Sequence, residues 1–228
     1  MVEALDNLIL PLYTMPLKNT ALWVLLENTL IFFVTLIIGH IAVKAFKTHA
    51  ITAPPPPITL LEIILAASCV LLNSLITWIG VILWRAGVVQ LRPVGGLLYL
   101  LLDFVVLFFA MDFAMYVFHR VAHLPILYPL IHDTHHRFEN PRPLTLFVLN
   151  PFETLGFGAL WLVVISIYQS SFLGMMLYLT LNVAFGLMGH LGVEPFPRRW
   201  LDLPLVRHIS TSTFHAEHHQ DRHHNYGF

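Results

Sequence analysis

Charge and cysteine are what this sequence has least of. Asp, Glu, Lys and Arg make up 11% of its 228 residues and nearly cancel, leaving a formal net charge of -1. So weakly charged a chain has no basic surface for a phosphate backbone, and no nucleic-acid partner is expected. Cys69 is the single cysteine, which excludes a disulfide-stapled secreted module. The missing charge is replaced by 57% hydrophobic residues and a mean hydropathy of +0.73, where soluble domains carry about 25% charged and roughly 45–50% apolar residues. An ordinary soluble domain and a disordered chain are both excluded. The basic start and cleavage pattern of a secretory signal are missing too: residues 1–20 carry Glu3, Asp6, Lys18, Pro11 and Pro16 and read as an interfacial lead-in.

What is present is a series of apolar runs. Residues 22–43 and 60–84 each approach the length of about 20 residues that crosses a hydrocarbon core. Between them Pro54 to Pro57 form a stiff connector that cannot be helical. A third span follows Pro93 and runs from Leu97 to Phe118, with Asp103 and Asp112 inside it and Asp112 expected to clear the membrane. Residues 155–189 contain no charge, and as one helix they would reach about 52 Å, too long for a single crossing. Tyr168 to Ser171 divide the run into a helical hairpin with arms of about 13 and 18 residues that enters and leaves by one face. His190 is thereby returned to the side of His119 and His123. Arg120, Arg137, Arg142, Arg198, Arg199, Arg207 and Arg222 lie on that side, with Lys44 and Lys47, which marks it as cytosolic; Arg85 and Arg92 fall on the other.

Histidine is the one polar residue in excess. Of 14 histidines, only His40 and His49 precede residue 119. The rest gather into His119-Arg-Val-Ala-His123, His132-Asp-Thr-His135-His136 and His215-Ala-Glu-His218-His219, plus His190, His208, His223 and His224. Residues three or four apart share a helix face, so each box is expected to aim its imidazoles at one point. At 100° per residue, Asp112 and Tyr116 continue the stripe of His119 and His123, and Asp112 is expected to orient an imidazole. Neutral imidazole suits iron, copper, zinc and nickel, and eight or more ligands exceed the needs of one ion, so two metals are expected. His208 fits no box, His40 reads as interfacial, and one of His223 or His224 is open as a further ligand.

The pattern resembles the membrane fatty acid hydroxylase / sterol desaturase superfamily. The resemblance rests on Asp112 to His123, on His132 to His136, on Gly189-His190-Leu-Gly-Val-Glu194, and on Phe214 to His219 followed by Asn225-Tyr226-Gly227. It covers the chain from about Asp103 to the end. It implies an all-α integral membrane protein, a helical anchor over residues 1–93 and a catalytic unit over 94–228, with a cytosolic helical cap carrying a histidine-rich dimetal site. The ligands it implies are His119, His123, His132, His135, His136, His190, His215, His218 and His219, with Asp112, Tyr116, Glu194 and Asn225 as candidate supports around them. The resemblance further implies two Fe ions, with zinc as a substitute in purified protein, and O2 as co-substrate. The reaction would hydroxylate or desaturate an unactivated C–H position of a sterol, fatty acyl chain or related membrane lipid. Electrons would come from a separate haem cytochrome or ferredoxin-type partner docking near Arg137, Arg142, Arg198 and Arg199. The membrane would be the endoplasmic reticulum of a eukaryote or the inner membrane of a bacterium. Relatives continue past an element like Asn225 to Gly227, and Asn150 stands where they often have His, which keeps an inactive scaffold open beside a His-rich metal carrier or sensor.

Overall fold

Among the described residues four helices are long and apolar enough to cross a membrane: α1 (Leu17–Ala45), α2 (Leu60–Arg85), α3 (Leu97–Ala122) and, later in the chain, α7 (Phe172–Gly189). The structure is a computed structural model that describes residues 9–204, 206 and 209–227; Glu3, Asp6, Arg207 and His208 lie outside the described residues. Among these residues there is no strand, only the isolated bridges Ala50 to Val193 and Leu91 to Ser170. The chain is an all-α membrane protein. Its spans expose Leu22, Leu26, Leu30, Phe33, Ile37 and Ile41 along one side of α1, the inverse of a soluble helix and the arrangement a lipid solvent favours.

The helix starts are written in local chemistry. Thr59 and Glu62 form a reciprocal capping box on α2. Before α6 (Pro151–Ile167), the Asn150 side chain accepts from Phe152 N at 2.9 Å and Pro151 occupies the first turn. Ser171 caps α7 in the same way through Gly174 N.

The hairpin of α6 and α7 enters and leaves by one end of the bundle, with its turn at Tyr168 to Ser171. Its arms have 17 and 18 residues, so the first is longer than the expected 13. The helix begins at Pro151 because Glu153, which interrupts the uncharged run, is paired internally and does not stop it. At the hairpin tip, Asp103 of α3 is fully buried and accepts from Arg92 Nη2 at 2.6 Å, Tyr168 Oη at 2.9 Å, Ser171 N at 2.9 Å and Ser171 Oγ at 2.6 Å. Arg85, at the same end, is bound by the Leu12 carbonyl and by Thr20 Oγ1. The two arginines that fell on the unexpected side are therefore consumed by internal partners. Leu107, Met111, Met115 and Tyr178 form the core where α3 meets the hairpin.

At the opposite end, short elements make a cap: α4 (Tyr128–Ile131), α5 (Asp133–His136), a 3-10 turn at Pro143–Phe147, α8 (Arg198–Leu201) and α9 (Ser212–Gln220). Arg142 ties this cap to α2 through Glu62 at 3.4 Å.

Candidate metal centre

The histidine boxes do not each converge on one point. Nine imidazoles form two groups, His119, His123, His132, His136 and His218 in one and His135, His190, His215 and His219 in the other, each group offering ligand atoms within 4.8 Å of one another. The partition follows helix geometry. Each pair spaced by four, 119/123, 132/136 and 215/219, shares a face and a group. The remaining member of each three-histidine box, His135 or His218, points aside and joins the other group. The groups adjoin: the His136 ring stacks on His219 with centroids 4.7 Å apart.

Outer hydrogen bonds fix the rings. His119 Nδ1 donates to the Tyr226 carbonyl at 3.1 Å, His218 Nδ1 to the His224 carbonyl at 2.7 Å and His190 Nδ1 to the Gly186 carbonyl at 2.7 Å. His132 Nδ1 faces Glu153 Oε1 at 2.6 Å. A carbonyl or carboxylate only accepts, so the ring proton sits on Nδ1 and Nε2 carries a lone pair. Yet His119 Nε2 lies 2.9 Å from His132 Nε2, both on rings whose Nδ1 is held by an acceptor. Lone pairs facing one another at such a distance call for a cation between them. His136 Nε2 and His190 Nε2 are buried without a protein partner, and the donor set fits a borderline transition metal.

Burial keeps these rings neutral, the state that ligates. Desolvation, reinforced by the neighbouring His218 and by Arg222, pushes His123 down to about 4. It lowers His136 to about 3, with His218 and His123 adding to the effect. His190 is held at about 4 by desolvation, and His135, His215 and His219 stand well below the usual value for the same reason and their mutual repulsion. Gly189 packs closely here: a Cβ would meet the His215 ring at 3.2 Å, and the ring would have to give by a few tenths of an ångström.

Beside the imidazoles lies a cavity of about 440 Å³, within the range of ligand sites. His119, His132, His135, His190 and His215 border one end and Trp84, Val89 and Ile9 the other. Helix α7 lines it from Phe172 to Gly189, a rise of about 26 Å. Aromatic residues of the hairpin border it, and so do α1 and α2.

Residues 104–228, more than half of the chain, match the family model of fatty acid hydroxylases. The chain belongs to the fatty acid hydroxylase family. No curated protein and no solved structure matches it. Membership of the fatty acid hydroxylases, together with two imidazole groups able to hold metal, indicates a lipid-directed, metal-using oxidoreductase.

In this member of the fatty acid hydroxylase family the four supporting candidates divide, Asp112 and Tyr116 lying away from the imidazoles and Glu194 and Asn225 acting on the backbone around them. Asp112 reaches no imidazole; it borders a small recess with Tyr178 and Asn182, because it sits seven residues, about 10 Å, below His119. Tyr116 points outward and accepts from Arg120 Nη1 at 3.4 Å. Glu194 is buried, and its carboxylate accepts from Thr213 N at 2.9 Å, Thr213 Oγ1 at 2.7 Å and Phe196 N at 3.1 Å, fixing the start of α9. Asn225 adopts a left-handed φ of 57° and donates to the Phe214 carbonyl and Glu217 Oε2. It thereby folds the tail back so that the His224 and Tyr226 carbonyls meet His218 and His119. His223 and His224 are exposed and outside both groups, as is His40, which bonds the Leu36 carbonyl. The residue that sequence reasoning missed is Glu153. Its signal was a lone carboxylate in the first turn of an otherwise uncharged helix.

Proposed function

We propose that this fatty acid hydroxylase is an O2-dependent di-iron oxidoreductase that hydroxylates or desaturates an unactivated C–H position of a membrane lipid. The observation that carries it is the pair of adjoining neutral imidazole groups at one end of a long apolar cavity. Two iron ions bound there would supply the oxidising power that no side chain possesses. His119, His123, His132, His136 and His218 would hold one ion, and His135, His190, His215 and His219 the other. Glu153 and the backbone carbonyls of Gly186, His224 and Tyr226 keep the ring protons on Nδ1. The apolar walls exclude water and admit an alkyl skeleton without returning it to the aqueous phase. Residues 94–228 form the catalytic unit, and residues 1–93 complete the cavity wall besides anchoring the chain.

Electrons must arrive from a separate donor protein. Exposed Arg198 and Arg199 on α8 offer it a basic landing surface, whereas the Arg137 guanidinium is already paired with Asp133 Oδ2 at 2.6 Å. Arg142 is occupied with Glu62 and the Pro56 carbonyl and does not belong to that surface. The excess of arginine at the histidine end supports a cytosolic orientation, on the endoplasmic reticulum of a eukaryote or the inner membrane of a bacterium. A metal carrier would place its ligands along a path near the bilayer midplane, whereas both groups lie at one end of the bundle.

Purified protein loaded anaerobically should retain two irons per chain. Cells expressing it should accumulate lipids heavier by one oxygen or lighter by two hydrogens. His135→Ala should lower the iron content towards one and abolish that product at unchanged protein level. Failure to retain iron, or lipid pools indifferent to His135→Ala, would overturn the proposal in favour of a carrier or an inactive scaffold.

A further inference from the structure

The cavity is not apolar throughout. Glu27, a carboxylate inside the apolar run of α1, borders it and has neither an ion pair nor a hydrogen bond among the described residues. An ionisable residue in a membrane span is costly and is kept for a use. Asn28, Asn73 and Thr77 border the cavity with it. Most of their donors are spent: Asn28 Nδ2 on the Val24 carbonyl at 2.9 Å and Thr77 Oγ1 at 3.4 Å, Thr77 Oγ1 on the Asn73 carbonyl at 2.9 Å, and one N–H of Asn73 Nδ2 on Cys69 Sγ at 3.5 Å, leaving its second N–H over. Acceptors are left over, namely the Glu27 carboxylate and the side-chain oxygens of Asn28 and Asn73. A polar wall with several spare acceptors and one spare N–H suits a group that both donates and accepts, and on an uncharged lipid skeleton that group is a hydroxyl.

The depth of this wall follows from α2. Cys69 adjoins Thr154 and Glu153, and Glu153 bonds His132. Thr77 lies eight residues further along the helix, about 12 Å from that level. The cavity continues past it to Trp84 and Val89, so the wall is a waypoint along the cavity and not its floor. We infer that Glu27, Asn28, Asn73 and Thr77 bind a hydroxyl group of the substrate, which makes the substrate a lipid whose hydroxyl lies about 6–12 Å along the cavity from the level where Cys69 meets Glu153. The inference rests on the lipid-oxidising function proposed above and narrows its substrate class.

The test is binding and not turnover. Full-length protein in lipid nanodiscs is equilibrated with two matched pairs of probes, cholesterol against cholestane and 12-hydroxyoctadecanoate against octadecanoate. Retained probe and bound iron are then measured in the same sample. The hydroxylated member of at least one pair should be retained about tenfold more strongly, the yield of one or two added hydrogen bonds. Glu27→Leu and Asn73→Leu should each erase most of that preference while leaving retention of cholestane and octadecanoate unchanged. Equal retention within both pairs by the unaltered protein would overturn the inference, whether or not the variants fold. A preference that survives both substitutions would overturn it as well. Absence of iron would count against the oxidase proposal alone, since the hydroxyl preference is read without catalysis.

Discussion

Glu153 stands two residues inside an apolar helix with one carboxylate oxygen on His132 and the other buried without a partner. Orienting carboxylates of this kind tune metal affinity by about 10–100-fold when removed. Glu153→Gln should accordingly lower iron retention by about tenfold with little change in the fold, as read by metal analysis after dialysis against a weak chelator. The ligand candidates themselves were legible in the spacing of the boxes, because a helix repeats its face every three to four residues. Their partition into two groups was not, since it depends on which neighbour each aside-pointing ring meets across the cap. Asp112 and Tyr116 misled for a related reason. They share a helical face with His119 and His123, but one or two turns along the axis that face meets different surroundings, Tyr178 and Asn182 for one and Arg120 for the other.

The hairpin of α6 and α7 shows how elements, more than single residues, position the site. Glu153 begins one arm and His190 follows the other, so both ends of the hairpin reach the imidazoles, while its tip is moored to α3 by Asp103. Asp103→Leu would leave Arg92, Ser171 and Tyr168 without their common acceptor. Given that Arg92 is one-quarter exposed, a loss of about 3 kcal/mol is expected, measured as a lowered unfolding temperature in detergent. Iron content should fall only to the extent that the hairpin loosens. The existence of the hairpin and its turn could be read from the length of the uncharged run and its polar tetrad. The true start of its first arm could not, because a charge normally ends an apolar segment and only the internal pairing of Glu153 removes that effect.

At the scale of the whole molecule, the notable feature is that α1 and α2 wall the cavity that the C-terminal half addresses. Hydropathy alone marks these helices as anchor, since a residue facing a lipid-filled cavity and one facing lipid read alike in sequence. Val81 lines the cavity one turn beyond Thr77. Val81→Trp should therefore shorten the usable space, reducing conversion of the longest accepted lipids by about tenfold while sparing shorter ones, as measured by product profiling across a chain-length series.

The tail that carries Asn225 crosses back over the imidazoles and lends two carbonyls to them, so its docking and the occupancy of the first group are thermodynamically linked. Exposed Arg222 lies at the root of that tail with its guanidinium over the Tyr128 ring. Trypsin should sever the peptide bond after Arg222 readily in chelator-stripped protein and at least several-fold more slowly once iron is restored. Digestion fragments would then record, without any catalytic assay, whether the ions act as a clasp on the end of the chain.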